Sequence, residues 1–363
     1  MDSSQKILSL VYPPVNGYAH QCALFSMLFT RQECIPWIYN NFIQVYSLKD
    51  LYLHSSRTGT IDFFYNIYGD WKHFYFKANP WIRFSAIPFY DLRSFKLDCI
   101  KYLKLCIERD MYLYFDVDIF FIPVYTKYYL QKHQKREILV YGYSDEKQCF
   151  FTLNNTKAGK CTQDHVSYKN LEESILFMDE FDKNNEALFW RERQIYMMEV
   201  TKNVEASGND PLFLREIFET NIEQIINGVK EYLLDGGTIR AYGFSEFYVF
   251  GTDCYDELIK YIDHIIKTKG KADIRGFYSF FLHKKLMLMR LEYLSDKYDL
   301  VETTSLYKTL VDDFNVLIIK LIKADILKKD SIFAKLIDSL NDLKEREISL
   351  LKKFIQLINN DGA

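Results

Sequence analysis

The stretch KHQKREILVYGYSDEKQCFFTLNN, residues 132–155, decides how the chain is read. Ile138, Leu139, Val140, Tyr141 and Tyr143 form a β-branched and aromatic run, and Cys149 to Leu153 form a second. Ser144-Asp145-Glu146-Lys147 lies between them as a polar turn, so the stretch predicts a β-hairpin. Gly142 inside the first run points to a bulge or a close backbone approach. A basic lead-in, His133 to Glu137, and the pair Asn154-Asn155 flank the hairpin.

Outward from the hairpin, the chain of 363 residues has room for two or three domains. Its 48% hydrophobic and 17% aromatic content can supply a large core, and only 14 Gly and 7 Pro argue against long linkers. A net charge near −3 offers no general attraction to nucleic acid or an anionic membrane. Seven Cys without a CxxC pair suggest neither a zinc knuckle nor a disulfide framework. No run reaches the roughly 18 apolar residues of a membrane span. The start, Met1-Asp2-Ser3-Ser4-Gln5-Lys6, lacks the order of a signal peptide. The expectation is a cytoplasmic protein without cofactor or metal.

Residues 7–14 suggest an opening strand. Residues 15–33 suggest a loop leading into a helix half-buried through Ala23, Leu24, Met27 and Leu28. A short helix is expected over 35–47, strand-rich sequence over 51–90, an amphipathic helix over 97–109 and a strand over 111–123. Beyond about residue 165 the sequence turns helical, although Trp190 to Thr201 has the composition of a strand returning to the sheet. Asp210 before Pro211 suggests a helix start, and Gly236-Gly237 its end. The expected fold class is α+β: a first domain over 1–165 and a mainly helical domain over 166–363.

Cys22 falls at or just before a helix, where the N-terminus and a nearby imidazole can lower a thiol pKa. Most free cysteines are instead small buried hydrophobes. A triad also needs a base and an Asx group to orient it. Asn154 ends the second strand of the hairpin, where an orienting group belongs. Arg136 and Glu137 begin the first strand, and a guanidinium stays protonated at neutral pH. The nearest imidazole is His133. Asp116-Val117-Asp118 has the form of a metal-binding DxD, though both carboxylates of a strand simply face one side. His54, His73 and His165 lack ligand spacing. His283-Lys284-Lys285 with Arg290 forms a basic stripe, expected to be a solvated face or a docking patch.

Several motifs recur in order. They are Trp37-Ile38-Tyr39-Asn40-Asn41-Phe42-Ile43-Gln44, Pro80-Trp81, Phe121-Ile122-Pro123, His133 through Ser144, Phe250 to Leu258, and His283 to Leu294. Over nearly its whole length the chain resembles proteins related to butirosin biosynthesis protein H, found with nonribosomal-peptide and related natural-product assembly lines. The resemblance implies a papain-like first domain and, in active relatives, Cys-dependent acyl transfer from a carrier-protein thioester to an amine. It makes Cys22 the nucleophile, Asn16 (six residues earlier) the oxyanion donor and Asn154 the orienting group. The family's second His falls on Arg136 and its Asp after Gly-Tyr on Ser144, which leaves His133 as the base. Arg136 and Tyr143 become candidates for binding a substrate or partner. The implied partner is an acyl- or peptidyl-carrier protein with a phosphopantetheine-tethered chain, with a homodimer among the assemblies left open. The alternatives are a catalytically degenerate adaptor that binds the synthetase or its carrier protein, and a plain peptidase.

Overall fold

Strand Lys135–Ser144 is the spine of a seven-stranded antiparallel sheet. A computed structural model describes residues 4–50, 52–55, 61–64, 76, 79–94, 98–156, 161–183, 194–201, 218–234 and 247–361. The spine pairs with Tyr112–Asp118 on one side and with Cys149–Asn155 on the other, and its far end also takes the short strand Gln5–Ile7. Beyond Cys149–Asn155 comes Cys161–Ser167; beyond Tyr112–Asp118 come Gln194–Val200 and then Ile82–Pro88. The register slips between Val140 and Gly142. A Cβ at Gly142 would lie 2.8 Å from the Lys6 carbonyl oxygen and 3.0 Å from Ile7 Cα. Only glycine lets the Gln5–Ile7 strand approach that closely.

The sheet carries helices on both faces. Helix Cys99–Glu108 starts at Asp98, whose carboxylate accepts the Lys101 N–H at 3.0 Å. With helix Tyr168–Lys183 it covers the face that bears Leu113, Phe115, Ile138 and Phe150, through contacts such as Tyr102 to Met197 and Tyr168 to Phe150. Helix Ala19–Leu28 packs on the spine and on Cys149–Asn155. Every residue from His20 to Leu28 is buried, not one face alone, because the helix is mostly apolar all round.

The chain divides into two units, and the division differs from a cut at 165/166. One unit comprises 1–34 and 70–209, so helix Tyr168–Lys183 and strand Gln194–Val200 belong with the sheet. The other comprises 35–69 and 210–363. It holds helices Ile35–Asn40, Ile222–Leu233, Cys254–Thr268, Arg275–Leu294, Val301–Leu327 and Asp330–Asp361, with a small antiparallel sheet ordered Tyr248–Phe250, Val45–Leu48, Asp62–Phe63. The expected helix over 35–47 therefore ends at Asn40 and gives way to a strand. The expected start at Asp210-Pro211 and stop at Gly236-Gly237 lie outside the described residues, as do much of 51–90 and His73. Helix Ile222–Leu233 is capped by Asn221, whose side chain accepts the Gln224 N–H at 3.1 Å. None of the described helices is long and apolar enough to cross a membrane.

The basic stripe of helix Arg275–Leu294 is not a solvated face. His283, Lys284 and Arg290 are at most 1% exposed. Arg290 donates through Nε to the Tyr39 carbonyl at 2.7 Å and through Nη2 to the Phe42 carbonyl at 3.1 Å. His283 Nε2 lies 2.7 Å from the Ile43 carbonyl. These carbonyls sit at and just beyond the end of helix Ile35–Asn40, where backbone acceptors have no helical partner. Lys284 Nζ lies 2.7 Å from Glu347, which also accepts hydrogen bonds from Tyr255 at 2.9 Å and Tyr307 at 2.6 Å. Burial pulls the Lys284 ammonium down to about 8 against the upward pull of Glu347, and pushes the Tyr232, Tyr255 and Tyr307 phenols well up.

Arg290→Met should therefore orphan two buried carbonyls and lower unfolding stability by about 2–5 kcal/mol, read from denaturant midpoints at unchanged m. The pH dependence has opposed parts. Lys284, with its folded pKa below the unfolded value, releases its penalty between about pH 8 and 10.5. The three phenols, with folded pKa values above the unfolded one, hold their stability below about pH 10 and lose it above. Thermal melts of the wild type should hold or rise slightly up to about pH 10 and then fall, less steeply in Tyr307→Phe.

Candidate functional site

The site anticipated around Cys22 depends on which face of the sheet each neighbour occupies. Paired residues on adjacent strands point to the same side, and successive residues alternate. The pairs Tyr114↔Leu139, Asp116↔Glu137, Leu139↔Leu153, Leu153↔Gln163 and Asn155↔Cys161 place Tyr114, Glu137, Asn155 and Cys161 on one face. Helix Ala19–Leu28 lies on that face. The Cys161 thiol is the hydrogen-bonding neighbour of Cys22, and Asn155 Nδ2 donates to the Gly17 carbonyl at 2.9 Å just before the helix begins.

Asn154 pairs with Ile138 and points to the opposite face, beneath helices Cys99–Glu108 and Tyr168–Lys183. There its Nδ2 donates to Thr152 Oγ1 at 2.8 Å, while its buried Oδ1 has no partner. Asn154 therefore does not serve a base beside Cys22. Arg136 pairs with Val117, which puts it in the row of Asn154; it is exposed, and its Nη1 donates to the Lys135 carbonyl at 3.3 Å. Tyr143, beyond the bulge, pairs with Phe150 on that same face. It is 2% exposed, with its hydroxyl on Glu108 and Lys104 Nζ 4.9 Å from its ring centre. Tyr143 is thus part of the core.

Cys22 is the fourth residue of its helix, and its N–H already donates to the Tyr18 carbonyl at 2.9 Å. Its thiol is 2% exposed and lies 3.4 Å from the Asn16 carbonyl oxygen, to which it donates. Burial pushes the thiol well up, and the adjacent Cys161 thiol pushes it further. Among the described residues, the groups that act on it include Cys161 and no imidazole. The Asn16 side chain turns to Tyr12, donating to the hydroxyl at 2.9 Å. Tyr114 and Tyr125 also border this region; burial raises both phenols and Glu137 raises them further. A buried, protonated thiol among phenols and a second thiol is a weak nucleophile.

His133 is engaged elsewhere. Its Nδ1 lies 2.6 Å from Asp118 Oδ2, and its ring is stacked between Phe120 and Phe177, with both centroids at 4.1 Å. Asp118 is buried and also accepts the Phe120 N–H at 3.1 Å and the Gln134 N–H at 3.0 Å. The dyad shares no partner with Cys22 and clasps the loop that leads into the spine. The first carboxylate of the DxD, Asp116, pairs with Lys135 at 2.7 Å, so both carboxylates of that motif are engaged with basic side chains.

The sequence reading thus passed over Glu137, Asn155 and Cys161, which share the face on which Cys22 packs. Two of them adjoin residues it had chosen, and a shift of one position along a strand exchanges faces. Compared with the models of known protein families the chain matches none, and no curated protein matches it in sequence.

Alkylation checks the state of the thiol. Iodoacetamide labelling of Cys22, followed by peptide mass mapping, should be slow near neutrality in the folded protein and still rising above about pH 9. A rate that levels off below pH 7 would show an activated thiolate instead.

Proposed function

We propose that this chain is a catalytically degenerate, papain-like protein of the butirosin biosynthesis protein H type. It acts in natural-product assembly by binding a synthetase or a carrier protein bearing an acyl or peptidyl chain, without acyl transfer through Cys22. The observation that carries this reading is the state of Cys22: a buried thiol held protonated, with Cys161 beside it and, among the described residues, no imidazole acting on it. The positions of Asn154 and Arg136 support it, since strand alternation sets both away from the thiol's face. The class of partner rests on the motif resemblance. Exposed Arg136 suits it chemically, because a guanidinium binds phosphate in a bidentate manner and the phosphopantetheine arm carries one.

The competing reading, acyl transfer or amide formation through Cys22, needs a general base at the sulfur. An S-acyl N-acetylcysteamine thioester separates the two when adducts are followed by intact mass. The expected result is no acyl adduct on Cys22 in the wild type and none gained in Arg136→His. An adduct on the wild type that disappears in Cys22→Ala would establish the acyltransferase and end the degenerate reading. In parallel, holo-carrier protein should bind in calorimetry more tightly than the apo form, with Arg136→Glu weakening the holo form by about tenfold.

A further inference from the structure

Helix Val301–Leu327 carries two apolar faces. Phe314, Leu317, Ile318, Leu321 and Ala324 are buried on the side that packs against helices Arg275–Leu294 and Asp330–Asp361. Val316, Ile319, Ile322 and Ile326 recur at steps of three and four residues on the outer side, with Leu327 beside the last, and each of the five is 39–73% exposed. At the rise of a helix the stripe is about 16 Å long. Single exposed apolar residues are ordinary, but a continuous stripe marks an interaction surface. The stripe is also basic. Between Asn315 and Lys329 the chain carries Lys320, Lys323, Lys328 and Lys329 against one acid, Asp325. Asp325 is already engaged, accepting from Lys328 Nζ at 2.6 Å and from the Ala272 N–H at 2.9 Å. Lys320, Lys323 and Lys329 form no ion pair among the described residues. Lys320 follows Val316 by four residues and Lys323 follows Ile319 by four, so both stand beside the stripe.

This composition distinguishes between partners. Protein interfaces are enriched in aromatic residues, Met and Arg and depleted in Lys, whereas the stripe consists of aliphatic side chains and Lys. A second copy of the chain would meet like charge. Paired about the middle of the stripe, parallel or antiparallel, two such helices set Lys320 and Lys323 against their own counterparts, with no exposed acid in the stripe to separate them. An anionic lipid surface suits both components. The boundary of its acyl region takes up the aliphatic side chains, while the Lys stems lie along them and carry their ammonium groups to the headgroup phosphates. The net charge near −3 of the whole chain does not oppose this, because salt screens charges beyond about 8 Å and leaves the local patch to act. We propose that the outer face of helix Val301–Leu327 docks in the plane of an anionic membrane surface, with Val316, Ile319, Ile322, Ile326 and Leu327 entering the interface and the neighbouring lysines holding the headgroups. This surface lies in the helical unit and does not depend on the reading of Cys22 and Arg136 in the other unit.

Vesicle flotation of the full chain tests the surface, comparing vesicles of phosphatidylcholine alone with vesicles containing about one-third phosphatidylserine. The protein should bind the anionic vesicles about tenfold or more tightly than the neutral ones, and the difference should shrink as salt is raised. Ile319→Glu with Ile326→Glu should abolish flotation, and Lys320→Glu with Lys323→Glu should weaken binding to anionic vesicles by about tenfold or more. Melting temperatures should stay unchanged in both variants, since all four side chains are exposed. The proposal is overturned if the wild type floats with neither vesicle, if neutral and anionic vesicles bind it equally, or if either variant binds as the wild type does. It is overturned as well if the wild type sediments as a dimer that Ile319→Glu splits, which would give the stripe to a second copy.

Discussion

The register of strand Lys135–Ser144 against its two neighbours governs what can meet Cys22. Each pairing with Tyr112–Asp118 and Cys149–Asn155 assigns side chains to one face or the other, and the assignment cannot change by one residue without exposing the core. That single constraint sets Cys161 beside Cys22, puts Asn155 on the Gly17 carbonyl just ahead of the helix and Glu137 on the same face, and sends Asn154 and Tyr143 beneath the opposite helices. The side chain set beside the sulfur is then a second thiol. The chemistry of the site follows from that placement.

A second constraint operates in the helical unit, where charges lie inside the core. Arg290 and His283 spend their donors on carbonyls beyond the end of helix Ile35–Asn40, and Lys284 meets Glu347 among tyrosine hydroxyls. Burying such groups is costly unless every partner is present, so loss of one partner is felt strongly. The same hydrogen bonds fix the backbone at Tyr39, Phe42 and Ile43.

Much of the architecture was legible in the residues. The hairpin, the bulge at Gly142, the amphipathic helix at Cys99–Glu108 and the long C-terminal helices follow from local periodicity, which depends on near neighbours alone. The candidate site was legible only in part. Cys22 stood out through its place before an apolar helix, but the pair Asn154-Asn155 offers two equivalent amides in sequence and opposite faces in space. The basic stripe of helix Arg275–Leu294 was misread for a related reason. Charge in a sequence signals solvent unless a distant partner compensates it, and those partners lie at 39–43 and 347.

By itself the sequence determined the mixed α+β composition, the hairpin over 135–155, and the presence of a thiol ahead of it. The tertiary structure decided that residues 35–69 join the helical unit and that helix Tyr168–Lys183 stays with the sheet. It also decided that Cys22 is a buried, protonated thiol accompanied by Cys161. The reason is physical: helical and strand periodicities are set by neighbours along the chain, whereas burial, partners and proton affinity are set by residues brought together from far apart.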